Sequence, residues 1–282
     1  MRHWFRHEPP RCSLESRWFA PAGRYPRRHW DRAPSHRARS GVCALGPRAS
    51  GAGRRGPHMT PELELNTAFV LDDRGRIRST REPRPGRGAL FTIIRSFTGA
   101  AWAVREDLQS DLAHEIGNLA RAEPPIEDLR APPLHAARYL SRTGGRLGFS
   151  GAAFLFPTAL EIPSDVIVVD DERFLERNFR GWRPGEIAKG GAPVMAIAEG
   201  GNPVSICFSA RQSEIAAAAG VETAAAFRGR GLAARAVAAW AFAIRASGKV
   251  PLYSAAWTNA GSLAVARKLG LRRYAAFWSV SE

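Results

Sequence analysis

A chain of 282 residues with 45% apolar content can build one large domain or two small ones, and is too apolar to be disordered throughout. The formal charge of +15 raises the idea of a nucleic-acid partner, but residues 1–58 alone contribute +10, so the remainder is only mildly basic and nucleic acid is disfavoured. Cys12, Cys43 and Cys207 fit neither a disulfide framework nor a metal-ligand spacing, which points to a reducing, cytoplasmic compartment and to no metal.

In chain order, residues 1–58 come first. They hold 13 arginines and no lysine, interrupted throughout by Pro, Gly and Ser, with no helical or strand period. No apolar core of a secretory signal is present in them. They read as a disordered extension. Met59 opens a segment of different character, and one reading makes it the natural start. No window reaches the about 18 uninterrupted apolar residues of a membrane helix; Arg235 and Arg245 break the nearest.

"TAFVLDDRGRIRST" predicts two short extended pieces about a polar turn at Asp72–Gly75. Leu108, Leu112, Ile116 and Leu119 predict one amphipathic helix over Arg105–Arg121, stopped by Pro124 and Pro125. "PPLHAARYLSRTGG" predicts a short helix, "LGFSGAAFLFP" and "SDVIVVD" extended segments, and "ERFLERNF" a helix. "APVMAIAEGGNPVSICFSA" predicts a hairpin turning at Gly200, Gly201 and Asn202, which tolerate positive φ. "AAAAGVETA" is ambiguous between helix and strand. Gly231–Ser247 is a helix with Leu232, Val237, Trp240 and Ile244 on its buried face. "VPLYSAAW" is a strand, "AGSLAVARKLG" a short helix and "LRRYAAFWSV" a last strand.

The chemistry gathers at "FRGRGLA". A helix start exposes unpaired N–H groups and the positive end of the helix dipole. Gly229 and Gly231 remove the side chains that would keep an anion away, and Arg228 and Arg230 add charge, so the turn suits phosphate. A P-loop is excluded because Gly-Lys-Ser/Thr is absent, and a dinucleotide fold because the third glycine is Ala234.

Arg228-Gly229-Arg230-Gly231-Leu232-Ala233 matches R-x-x-G-x-[G/A], and here the chain resembles the GNAT superfamily of acyl-CoA-dependent N-acetyltransferases. Asn259, Ser262, Leu269, Gly270 and Leu271 extend the resemblance through the closing segment, so that it runs from about Pro193 to Val280. It implies a mixed α/β fold of GNAT type: a central, mostly antiparallel, splayed sheet flanked by helices. Residues 151–282 would be the acetyl-CoA-binding catalytic domain, and residues 59–150 would complete the fold and shape the acceptor side.

The resemblance further implies direct transfer of an acetyl group from acetyl-CoA to the amine of a small molecule or peptide, by a monomer or homodimer. Arg228, Gly229, Arg230, Gly231, Leu232 and Ala233 would hold the cofactor pyrophosphate. The preceding strand, through Val221 and Thr223, would present a backbone N–H to the thioester. Asn259 and Ser262 would contact the cofactor, or cap and open the last helix. For a general base the nearby acids are Glu222 and Glu214. The tyrosine that many relatives carry in the last helix is replaced by Ala266, leaving Tyr253 and Tyr274 as substitutes for the acid. A competing reading is a GNAT-like domain that binds acyl-CoA without catalysis.

Overall fold

The computed structural model describes residues 59–179 and 181–282; the expected disordered extension, 1–58, lies outside them. Helix α1 (Pro61–Ala68) leads into a small hairpin of β1 (Phe69–Leu71) and β2 (Ile77–Thr80). The polar turn falls where the sequence places it: Asp72 accepts from Gly75 N and its own N–H bonds Arg76 O. β3 (Phe91–Ser96) and β4 (Gly99–Val104) form a second hairpin. Then follow α2 (Ser110–Arg121), α3 (Ala136–Thr143), β5 (Arg146–Leu155) and β6 (Val166–Val168). The last third runs β7 (Met195–Glu199), β8 (Asn202–Gln212), β9 (Ala216–Thr223), α4 (Leu232–Ala246), β10 (Val250–Ala256), α5 (Ala260–Lys268) and β11 (Arg272–Ser281).

Nine strands form one sheet in the order β4-β3-β11-β5-β10-β9-β8-β7-β6. Neighbours pair antiparallel except β9 and β10. The expected mixed α/β fold, with a mostly antiparallel sheet flanked by helices, is what the chain forms. β5 runs through position 150 and lies between β10 and β11, so strands from both halves of the chain are interleaved.

Strand alternation sorts the core into two faces. On one, α4 and α5 pack over Ala152, Cys207, Ala217, Tyr253 and Ala255, with Trp240 fully buried and its Nε1 donating to Ser209 at 3.2 Å. Phe91, Ile93, Trp278 and Val280 continue this face beneath α2 and α3. On the other, α1 covers Ile94, Ala153, Ala216, Leu252, Ala275 and Phe277, while Leu175, Phe179 and Trp182 cover Ile206 and Phe208.

Three segments depart from the sequence reading. The helix expected from Arg105 begins at Ser110. Arg105 is buried and held by Asp107 at 2.7 Å and Glu282, and its backbone bridges Ile77, so these bonds fix an extended conformation there. "ERFLERNF" forms one 3-10 turn, Glu172–Phe174, and then irregular turns whose apolar side chains dock on β8. "AAAAGVETA" is a strand, since pairing on both sides overrides the helix preference of alanine.

Candidate active site

The parallel pair β9–β10 holds the key to the site. Val250, Pro251 and Leu252 pair with Ala216, Ala217 and Ala218, and beyond Leu252↔Ala218 the two strands share no pairs. β10 continues against β5 through Tyr253–Ala256, and β9 continues against β8 through Thr223. The sheet therefore splays from this point.

Backbone direction in the splay follows from three bonds. Val250 N donates to Ile215 O at 2.9 Å, so residue 215 faces β10. Ser213 N donates to Ala216 O and Ala224 N to Val204 O, so the even residues of β9 face β8. The N–H and C=O groups of Ala219, Val221 and Thr223 thus face the side that β10 has left. The Thr223 carbonyl already accepts from Arg228 Nε at 3.1 Å. The side chains of Val221 and Thr223 lie on the α4 face; Thr223 Oγ1 is 2.7 Å from Ser205 Oγ.

At the mouth of the splay lies a cavity of about 1100 Å³, lined by Val221–Ala225, by Phe227–Ala234, and by Asn259, Ser262 and Lys268 among others. Gly231, with φ 78°, is the N-cap of α4 and offers no side-chain cap. The first helical N–H groups, at Leu232, Ala233 and Ala234, thus lack an intramolecular side-chain acceptor where they line the cavity. Arg230 forms an ion pair with Glu199 at 2.6 Å and lies over the Phe227 ring at 5.3 Å, so its charge is partly neutralised.

Lys268 is the residue sequence reasoning missed. Its Nζ occupies the space in which a Gly231 side chain would begin. It sits at the C-terminal end of α5, 37 positions away in sequence, and only the packing of α5 beside α4 brings it over the turn. Asn259 is the N-cap of α5, its Oδ1 accepting from Ser262 N at 3.0 Å, and both residues line the cavity. Capping is therefore one role of Asn259, and the amide Nδ2 is left as a donor. This combination fits a diphosphate: helix N–H groups without a cap, a glycine at positive φ, a lysine above it and no acidic side chain on the turn itself.

The acid–base candidates separate. Glu222 projects from the face opposite α4, alongside its pairing partner Ile206, yet lines the cavity. Partial loss of water around its carboxyl raises its pKa, Glu186 raises it further, and Arg228 opposes both. Glu214 is exposed in the turn before β9. The strand from Ala216 to Glu222 spans about 20 Å at roughly 3.3 Å per residue, so Glu214 lies at the wrong end of the strand for the cavity. Tyr253 is 1% exposed and its hydroxyl donates to Ser262 O at 3.1 Å; burial pushes its pKa up to about 12. It belongs to the core beneath α5 and not to the cavity wall. Ala266 is fully buried in the same core. Cys207 is a buried free thiol on β8, its pKa raised by burial.

Among the described residues no group of three or more His, Cys, Asp or Glu side chains is placed to hold a metal, and no helix is long and apolar enough to cross a membrane. No curated protein matches the chain. Among solved structures the fold is similar to a GNAT-family protein from Novosphingobium aromaticivorans DSM 12444, 18% identical, covering 78% of this chain and 92% of that one with a TM-score of 0.45. It is also similar to a GCN5-related N-acetyltransferase-like protein from Streptococcus suis 89/1591, 16% identical over 74% of this chain and 87% of that one, TM-score 0.42. The family assignment rests instead on sequence: residues 174–277 match the family described as GNAT acetyltransferase, and these residues contain the glycine turn, α4, β10 and α5. Residues 174–277 of the chain are thus similar to the family of GNAT acetyltransferases.

Proposed function

We propose that this chain is an N-acetyltransferase that moves an acetyl group from acetyl-CoA directly to an amine. The observation that carries this is the uncapped glycine turn Arg228–Ala233 at the mouth of the β9–β10 splay, with Lys268 above it. Backbone N–H groups of Leu232 and Ala233, with Lys268, would bind the diphosphate. Asn259 Nδ2 and Ser262 would contact the same ligand from α5. The Val221 N–H, turned into the gap, would polarise the thioester carbonyl. Glu222 would take the proton of the incoming ammonium, a role that suits a carboxylate whose pKa is raised. In this reading residues 151–282 carry the acetyl-CoA site and residues 59–150 shape the acceptor side. The buried free thiol of Cys207 suits a reducing, cytoplasmic compartment.

The test is thiol release from acetyl-CoA by the full chain across a panel of aliphatic amines, amino acids, aminoglycosides and peptide N-termini. Release that depends on one amine class, with a matching acetylated product, is expected. A second reading, acyl-CoA binding without catalysis, draws on Ala266 standing buried where many relatives carry a tyrosine. Tight coenzyme A binding with no amine-dependent release would favour it.

A further inference from the structure

The cavity has two ends, on opposite faces of the sheet. One, on the α4 face, holds the glycine turn and Lys268 of α5. The other is lined by Asn178 and Phe179. Phe179 is 2% exposed and packs on Ile206, the pairing partner of Glu222, on the face away from α4. It therefore stands beside the Glu222 side chain.

Asn178 is fixed in one orientation. Its backbone N–H donates to Leu175 O at 3.2 Å, and Leu175 is fully buried. Its side-chain amide bonds Pro203 O at 2.6 Å. A carbonyl only accepts, so the atom held there is Nδ2, and the other atom of the amide is the acceptor Oδ1. Among the described residues nothing donates to Oδ1. Pro203 precedes Val204, whose carbonyl accepts from Ala224 N at 2.9 Å. Asn178 is thus level with the tip of β9, where Glu222 and Ala224 share a face.

The rest of this end is apolar. A Cβ on Gly220 would come 2.6 Å from the Phe208 ring, so that ring lies over Gly220, two residues before Glu222, with Trp182 edge-on to it at 4.8 Å. Glu186 acts on Glu222 through its charge, but its own carboxylate is held by Arg84 at 2.6 Å. A further acid of this face, Glu64, lines no part of the cavity: burial lifts its pKa to about 7, and Tyr274 Oη donates to it at 2.7 Å beneath α1.

We propose that this end of the cavity takes a primary amine on an apolar carbon body, with its ammonium held between Glu222 and Asn178 Oδ1. The assignment rests on the acetyltransferase reading above. A primary ammonium carries three N–H bonds. Glu222 takes one proton, and the freed electron pair of nitrogen bonds to the acyl carbon. As the C–S bond breaks, a second proton passes from nitrogen to sulfur. The third N–H stays on Asn178 Oδ1 from the bound ammonium to the amide product. A secondary ammonium has no N–H left for that bond. Phe179, Ala224 and the Phe208 ring take the hydrocarbon next to the nitrogen. The many hydroxyls of a sugar-based amine would meet apolar walls there and lose their water.

Asn178 holds the amine equally before and during reaction, so losing it acts on KM rather than on kcat. The experiment uses the full chain and Asn178→Leu, which keeps the volume and removes the amide. The amines are hexylamine, N-methylhexylamine and kanamycin. In thiol release at saturating acetyl-CoA, the wild-type chain should favour hexylamine over both others by about 10-fold or more in kcat/KM. Asn178→Leu should raise the hexylamine KM by roughly 10- to 100-fold, the effect of one hydrogen bond to a charged group, at nearly constant kcat. It should also erase the preference over N-methylhexylamine and leave coenzyme A affinity, by calorimetry, at the wild-type level. A wild-type KM in Asn178→Leu, or a loss of coenzyme A affinity as large as the loss of amine affinity, would overturn the assignment and leave the acetyltransferase reading intact. So would a wild-type chain that prefers kanamycin or is indifferent to N-methylation. That comparison needs no variant, so it decides even where Asn178→Leu fails to fold. A wild-type chain that releases no thiol with any amine would overturn both readings.

Discussion

The ammonium of Lys268 stands over Gly231, where any other residue would place its Cβ. The contact joins the end of one helix to the start of another and concentrates positive charge on uncapped N–H groups. Lys268→Ala should weaken coenzyme A binding by roughly 10-fold, in the range of a lost charge-assisted hydrogen bond, and should reduce the salt dependence of binding. Calorimetric titration at two salt concentrations checks this; unchanged affinity at both would move the diphosphate elsewhere.

Gly231→Glu makes a sharper demand. A side chain at φ 78° costs on the order of 1–2 kcal/mol, and here it also meets Lys268 and can neutralise it. Coenzyme A affinity should fall much further than with Lys268→Ala, while the circular dichroism spectrum stays native. Binding at the wild-type level in a folded Gly231→Glu protein would remove the turn from the site.

Asn259→Ala should act twice. Loss of the 3.0 Å bond from Ser262 N should cost about 1 kcal/mol of stability. Loss of the amide donor at the cavity wall should lower coenzyme A affinity as well, and by the larger factor. Thermal melts with and without coenzyme A separate the two effects. A melting shift of equal size in both conditions would leave Asn259 a cap and nothing more.

Glu222→Gln keeps the shape and removes the base. Turnover at saturating acetyl-CoA should fall by roughly 10²- to 10⁴-fold at neutral pH, with partial recovery at high pH as the free amine deprotonates unaided. The projection of Glu222 away from α4 makes this a direct trial of which face receives the amine. Near wild-type turnover would assign the amine proton to solvent.

Glu64 also predicts how stability follows pH. Its folded pKa of about 7 lies above the ordinary 4.5, so between those values the folded chain binds a proton that the unfolded chain has released. That contribution is fully present below about pH 4.5 and is lost as pH rises through 7. The loss is on the order of 3 kcal/mol, at about 1.4 kcal/mol per pH unit. Glu64→Gln should flatten this part of the profile in denaturant titrations, and a variant with the wild-type slope would show that the carboxyl is ionised in the folded chain at neutral pH.

Local signals made much of the site readable. Gly200 and Gly201 mark the β7–β8 turn with φ of 56° and 77°, because that turn needs a backbone few other residues tolerate. Leu232, Val237, Trp240 and Ile244 mark the buried face of α4, all with under 10% exposure. Where local signals conflict or vanish, the elements were not visible. Leu63 and Leu65 alternate as in a strand, so α1 is announced only by its Thr60 cap and Pro61. β3 is buried at every position and carries no period at all.

The sequence by itself determined the glycine turn at the start of α4, since glycine, a helix start and the surrounding charge are all local to residues 228–233. Only the tertiary structure decided which distant side chains come near that turn and which do not. It brought Lys268 over Gly231, carried Glu214 to the far end of β9, sank Tyr253 into the core and set Glu64 beside Tyr274 across 210 positions. The physical reason is that β5 enters the sheet between β10 and β11, and the parallel pair β9–β10 parts after three residues. Strand order and register arise from long-range packing, which no local spacing of residues encodes.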